Sequence, residues 1–163
     1  MSNEPITFDT YLKEHGALVY TFRGVSMLPT LRQKRGDTVT IVRRSEERFK
    51  KYDVVLYHGD TEGHRYILHR IVRVVDGGYV IIGDNCVTYE HVPEWAVIGK
   101  MIEYHHGANG RYPNRCVRVD DPWYRAFSRV WVALSPARIV YKKVYFKLRG
   151  CASRVYHAVV KKR

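Results

Sequence analysis

The sequence predicts a mainly β protein: a domain of short strands, preceded by a short helix and followed by basic amphipathic helices. Three observations carry this expectation. Runs rich in strand formers recur between residues 17 and 104. After residue 121 apolar side chains return at helical spacing. The charge is also uneven: from Asp121 onward eleven Lys and Arg face a single acid, a net +10, whereas the first 120 residues hold 17 bases and 15 acids, a net +2.

In order, Thr7 to Gly16 reads as a helix, with Thr7 or Asp9 able to cap its first amides and Gly16 suited to a left-handed end. ALVYTFR, DTVTIVRR, YDVVLYHG and YILHRIVRVV follow as strands, and GYVIIGD is a fifth after the Gly77-Gly78 turn signal. VPEWAVIGKMIEY supplies another, with Gly99 marking a bulge. HHGANGRYPNR has loop composition, so residues 105–120 read as a linker between a β domain at 17–104 and a helical tail at 121–163. In the tail, Asp121 caps a helix that opens on Pro122 and carries Trp123, Phe127, Val130, Trp131 and Leu134 on one stripe. Ser135-Pro136 starts a second helix, with Ile139, Val140, Val144 and Leu148 on one face and a break expected at Gly150.

Several function classes fall away. A chain of 163 residues, 45% hydrophobic, can bury a core and is not a disordered tail. No interval approaches the roughly 18 apolar residues of a membrane span. The opening MSNEPITFDTYLKEHG lacks the basic start and apolar stretch of a secretory signal, so a cytoplasmic location is expected. Cys86, Cys116 and Cys151 are odd in number and widely spaced, which argues against a disulfide framework or a cysteine-built zinc site. His105-His106 sit in the expected loop and no H-x-x-x-H pair exists, so no metal and no cofactor are expected.

The segment that points to chemistry is Arg23-Gly24-Val25-Ser26-Met27-Leu28-Pro29-Thr30-Leu31, followed by Gly36-Asp37. A catalytic serine needs an exposed hydroxyl on a constrained backbone, a base within reach, and amides aimed at the developing oxyanion. Gly24 and Pro29 on either side of Ser26 supply the constraint. This segment resembles the nucleophile box of the signal peptidase and SOS-repressor superfamily of serine proteases. The resemblance extends in order through Tyr52-Asp53-Val54-Val55-Leu56-Tyr57, Leu68-His69-Arg70-Ile71-Val72, Gly83-Asp84-Asn85 and Val97-Ile98-Gly99-Lys100-Met101.

The resemblance implies a serine endopeptidase that cleaves a leader, signal or propeptide after small residues. Ser26 would be the nucleophile and His69 the general base, since a histidine stands where bacterial signal peptidases and the repressors have lysine. An imidazole with an unperturbed pKa of about 6.5 is a neutral base near pH 7. Asp84 would orient His69 as the third group of a triad, and Gly24, Met27 and Pro29 would form the oxyanion and substrate-binding positions. Membrane signal peptidases have a serine where this chain has Gly24, and backbone amides would remain as the oxyanion donors. Cys86-Val87-Thr88-Tyr89-Glu90 replaces the usual run after the third box and leaves Glu90 as the nearby acid. The anchoring helix of membrane signal peptidases is also absent from the sequence pattern.

The expected partner is a peptide or protein substrate. The tail interleaves aromatic residues with Lys and Arg, which suits an anionic membrane surface at residues 121–163 and a peripheral position at the inner membrane face. A helix packed on the β domain with a solvated basic face fits equally; a nucleic-acid partner is not expected. On the anchor reading, removing residues 121–163 abolishes vesicle binding and spares cleavage of a soluble peptide. The rival function is a catalytically weak or inactive relative that keeps the fold as a peptide-binding or interaction module.

Overall fold

A computed structural model describes residues 6–45, 47–59 and 65–160, with side chains as far as Arg149; the side chains of Cys151 and Tyr156 lie outside the described residues. Helix α1 (Phe8–His15) begins as the sequence predicts: the Thr7 side chain accepts from the Thr10 amide at 3.2 Å. It ends at Gly16, whose φ of 75° lets its amide reach the Leu12 carbonyl.

The strands are β1 (Ala17–Thr21), β2 (Thr38–Arg43), β3 (Val54–His58), β4 (Tyr66–Val75), β5 (Gly78–Ile82), β6 (Glu90–Pro93), β7 (Val97–His105) and β8 (Cys116–Arg118). All pair antiparallel in the order β1-β2-β7-β3-β4-β5-β6. Strand β7 organises the sheet. Its whole length faces β2, while its other edge is shared between β3, along Val97–Lys100, and β8, along Glu103–His105. Gly99 lies where β2 and β3 both approach, and a Cβ there would stand 2.5 Å from the Val42 carbonyl oxygen.

Both faces of the central strands are buried. Val54 and Leu56 of β3 join Leu12, Met27, Leu31, Ile41, Leu68 and Met101 in one core, and Val55 and Tyr57 join Ile71, Tyr79, Ile81 and Val97 in the other. Alternation along one strand therefore feeds two cores. That explains why β3 reads as an unbroken apolar run rather than an alternating one.

Four details depart from the sequence reading. Strand β6 was not expected; it is short and half polar, so its pattern carries no strand signal. Strand β8 lies inside the stretch read as a linker, so the sheet continues past residue 105. Helix α2 (Pro122–Ala133) is capped by Asp121, but its buried residues are Tyr124, Ser128 and Val132, while Trp123, Val130 and Leu134 of the apolar stripe are exposed. Helix α3 (Ser135–Val160) runs through Gly150, since one glycine costs a helix only about 1 kcal/mol. Among the described residues, no helix is long and apolar enough to cross a membrane.

Candidate active site

Ser26 sits in the loop between β1 and β2. Phe22 leaves β1 bonded to the Asp37 carbonyl, and Gly24 then turns with a φ of 110°, its amide held by Gln33 Oε1 at 2.7 Å. Met27 and Leu31 anchor the loop from below, both fully buried. The Leu28–Pro29 peptide is cis. The carboxylate of Asp37 ties the far end: it accepts from the Arg32 amide at 2.9 Å and the Gly107 amide at 3.2 Å and pairs with Arg35. Burial works against that charge, but these donors outweigh it and hold the carboxyl below its ordinary pKa.

His69 lies on β4 opposite Val55, only 5% exposed. Its Nδ1 is 3.2 Å from Glu90 Oε1 and 3.1 Å from the Tyr57 hydroxyl, which itself donates to Glu90 Oε2 at 2.8 Å. With the tyrosine proton directed to Glu90, the network assigns the imidazole proton to Nδ1 and leaves Nε2 as the free base. Burial lowers the His69 pKa below its usual 6.5, an effect that the Glu90 charge and hydrogen bond partly offset. The imidazole is therefore neutral at pH 7.

The backbone carbonyl of Ser26 and the ring of His69 both approach Gly83. A Cβ on Gly83 would lie 2.8 Å from His69 Nε2, 2.8 Å from the Ser26 carbonyl oxygen and 2.7 Å from Cys86 Sγ, so glycine is the residue that allows this convergence. Both side chains line one open groove of about 1000 Å³, together with Gly24, Tyr20, Phe22 and Tyr66. Among the described residues the Ser26 hydroxyl makes no hydrogen bond to His69, and the Ser26 and Met27 amides have no acceptor. Catalytic hydrogen bonds are often loose before substrate binds, and a free amide at a serine is one of the donors an oxyanion hole requires.

Asp84 is placed differently from the expectation. Its carboxylate takes a bidentate pair with Arg70, at 2.8 and 2.7 Å, and the Thr30 hydroxyl at 2.5 Å; it makes no hydrogen bond to His69. The reason is strand geometry: His69 and Arg70 are neighbours on β4 and face opposite sides. Arg70 is fully buried, and its remaining donors reach Ser128 Oγ at 2.9 Å and the Tyr124 hydroxyl at 3.3 Å. Glu90 takes the position at His69 Nδ1 that Asp84 was expected to fill.

Two of the expected substrate-binding residues are also corrected. The Met27 side chain is in the core and does not face the groove. Pro29 is exposed on the other side of the loop, against α2 and α3. Only Gly24 of the three lines the groove with Ser26. What the sequence reading missed is Tyr57 and the Arg70–Asp84–Thr30 cluster; the adjacency of His69 and Arg70 on a strand was the available signal.

The tail is not a detachable appendage. Helix α2 closes over Arg70, and from α3 Arg138 donates to the Asp84 carbonyl at 2.6 Å and Lys142 to the Asn85 carbonyl at 2.6 Å. Asn85 in turn donates from its amide to the Ser26 carbonyl at 2.7 Å and from its side chain to the Val25 carbonyl at 3.0 Å. Residues 121–149 thus support the loop that carries Ser26.

Among the described residues one group of metal-ligand types gathers, Glu103, His105 and Cys116, with donor atoms within 4.8 Å of one another. His105 ends β7 rather than lying in a loop. The group is outside the groove, and its members already bond to each other.

No protein-family model and no curated protein matches this chain.

Proposed function

We propose that this protein is a serine endopeptidase resembling signal peptidase, with Ser26 as nucleophile and His69 as general base. The observation that carries the reading is that Ser26 and His69, whose Nε2 is free, line the same open groove. Ser26 Oγ attacks the peptide carbonyl while His69 Nε2 takes its proton. The Ser26 amide receives the oxyanion, and Glu90 steadies the imidazolium through Nδ1. On collapse of the tetrahedral intermediate, Nε2 returns the proton to the leaving amine, and water then hydrolyses the acyl-enzyme by the same route.

The substrate is a leader, signal or propeptide laid along the groove. The exposed aromatic and apolar side chains of α3, among them Tyr141, Val144, Tyr145 and Leu148, interleave with lysines and suit an anionic membrane surface, which would hold the protein at the inner face. One observation favours a second reading, a peptide-binding module without catalysis: the Ser26 hydroxyl makes no hydrogen bond to His69.

The test compares new protein N-termini, by mass spectrometry, in cells expressing the wild-type chain and cells expressing Ser26→Ala at equal abundance. Termini that appear only with the intact serine are the expected result. Identical sets, together with peptides captured equally by both forms, would establish the binding module instead.

A further inference from the structure

Behind the nucleophile loop, where α2 and α3 meet it, lies a cavity of about 270 Å³ lined by Leu28, Pro29, Asn85, Trp131, Arg138 and Lys142. Its one acid, Asp84, has its carboxylate occupied by Arg70 and Thr30. The cations are less well served. Arg138 lies 3.9 Å over the Trp131 ring and gives two donors to carbonyls, of Asp84 at 2.6 Å and Trp131 at 3.0 Å. Its Nε–H is buried without an acceptor, and so is the indole N–H of Trp131. Lys142 spends two of its donors on Asn85, on the carbonyl and on Oδ1. Burial depresses the pKa of both Arg138 and Lys142, and the arginine adds to the shift of the lysine.

Buried N–H groups without a partner are rare in folded proteins, and an unrecorded ion is one of the few accounts of them. Here two orphan donors come from residues lining one cavity that also holds two cations no carboxylate neutralises. A tetrahedral oxyanion with several acceptors satisfies indole, guanidinium and ammonium donors together. We propose that this cavity binds a phosphate group through Trp131, Arg138 and Lys142. The phosphate is either free in solution or the headgroup of an anionic lipid reached by the exposed face of α3. Binding does not rest on the protease reading. Its consequence for cleavage does, because Asn85, gripped by Lys142, also holds the carbonyls of Val25 and Ser26.

The experiment uses the full chain carrying Ser26→Ala, so that proteolysis plays no part. Inorganic phosphate is titrated by calorimetry and by its effect on Tm, and vesicles of phosphatidylcholine are compared with vesicles containing phosphatidylglycerol. Binding of either probe is expected, with affinity falling about tenfold or more in Lys142→Met, the loss of one charge-assisted hydrogen bond. Arg138→Gln should act likewise, but it also cuts a bond to the Asp84 carbonyl. Lys142→Met likewise cuts its bonds to Asn85, so the Tm of each variant in the absence of phosphate is the control for folding. Phosphate alone identifies a soluble ligand; phosphatidylglycerol vesicles without free phosphate identify a headgroup. Absence of binding to both probes would overturn the site, and so would an equal loss in Lys143→Met, which would mean diffuse attraction to a basic helix. Failure of the protease reading would leave every one of these results unchanged.

Discussion

His69 Nδ1 lies 3.2 Å from Glu90 Oε1, and this pair, rather than His69 with Asp84, holds the imidazole of the candidate base. Glu90 comes from the start of β6, a strand that brings its carboxylate beside both His69 and Tyr57.

The first prediction concerns pH. The base works only when neutral, so cleavage should fall as pH drops through the His69 pKa, which burial places below 6.5. Glu90 opposes that shift, so Glu90→Gln should move the acid limb of kcat/KM to still lower pH. The plateau should also fall, by roughly 10²- to 10⁴-fold, because the imidazolium loses its stabiliser. An acid limb that stays in place would mean that another group is the base.

A methyl group at position 83 would crowd the backbone carbonyl of Ser26 and Nε2 of His69 and displace one or both. Gly83→Ala should therefore lower kcat/KM by about 10²-fold or more, since displacing either group by about 1 Å is that costly. Peptide turnover measured beside Tm checks this; wild-type turnover in the folded variant would refute the placement of the two groups.

Asp84→Asn should behave as a structural change. Breaking a fully buried ion pair costs about 3–5 kcal/mol, readable as a lower midpoint in denaturant. Its acid limb should move less than that of Glu90→Gln, because Glu90 acts on His69 more strongly than Asp84 does. A larger shift from Asp84→Asn would restore Asp84 as the orienting group.

Truncation separates the two parts of the tail. A chain ending at residue 120 loses Tyr124 and Ser128 from Arg70, so Tm should drop by roughly 10 °C or more and cleavage should fall with it. A chain ending at residue 149 keeps those contacts and those of Arg138 and Lys142, so its Tm should be unchanged. Equal Tm for the two chains would make α2 and the first turns of α3 dispensable.

Local chemistry made much of this protein legible. Thr7 and Gly16 bound α1, Asp121 and Pro122 open α2, and the apolar runs at Val54, Tyr66, Gly78 and Val97 become strands because their periodicity and caps act within a few residues. Ser26 and His69 were singled out differently, through the resemblance of their segments to the signal peptidase superfamily. Strand β8 was not legible, since three residues just after a run of loop composition become a strand only where β7 offers a free edge.

The amino-acid sequence by itself determined the β class and the helices at both ends, because each rests on spacing or on a short motif, and it nominated Ser26 and His69 through a family resemblance. Only the tertiary structure decided which acid serves which partner, since strand alternation sends His69 to Glu90 and Arg70 to Asp84. It also decided that α2 packs over Arg70, because the donors of that buried guanidinium take Tyr124 and Ser128 as partners across 54 and 58 residues of chain. Pairings over such separations depend on how the sheet closes, which no local pattern encodes.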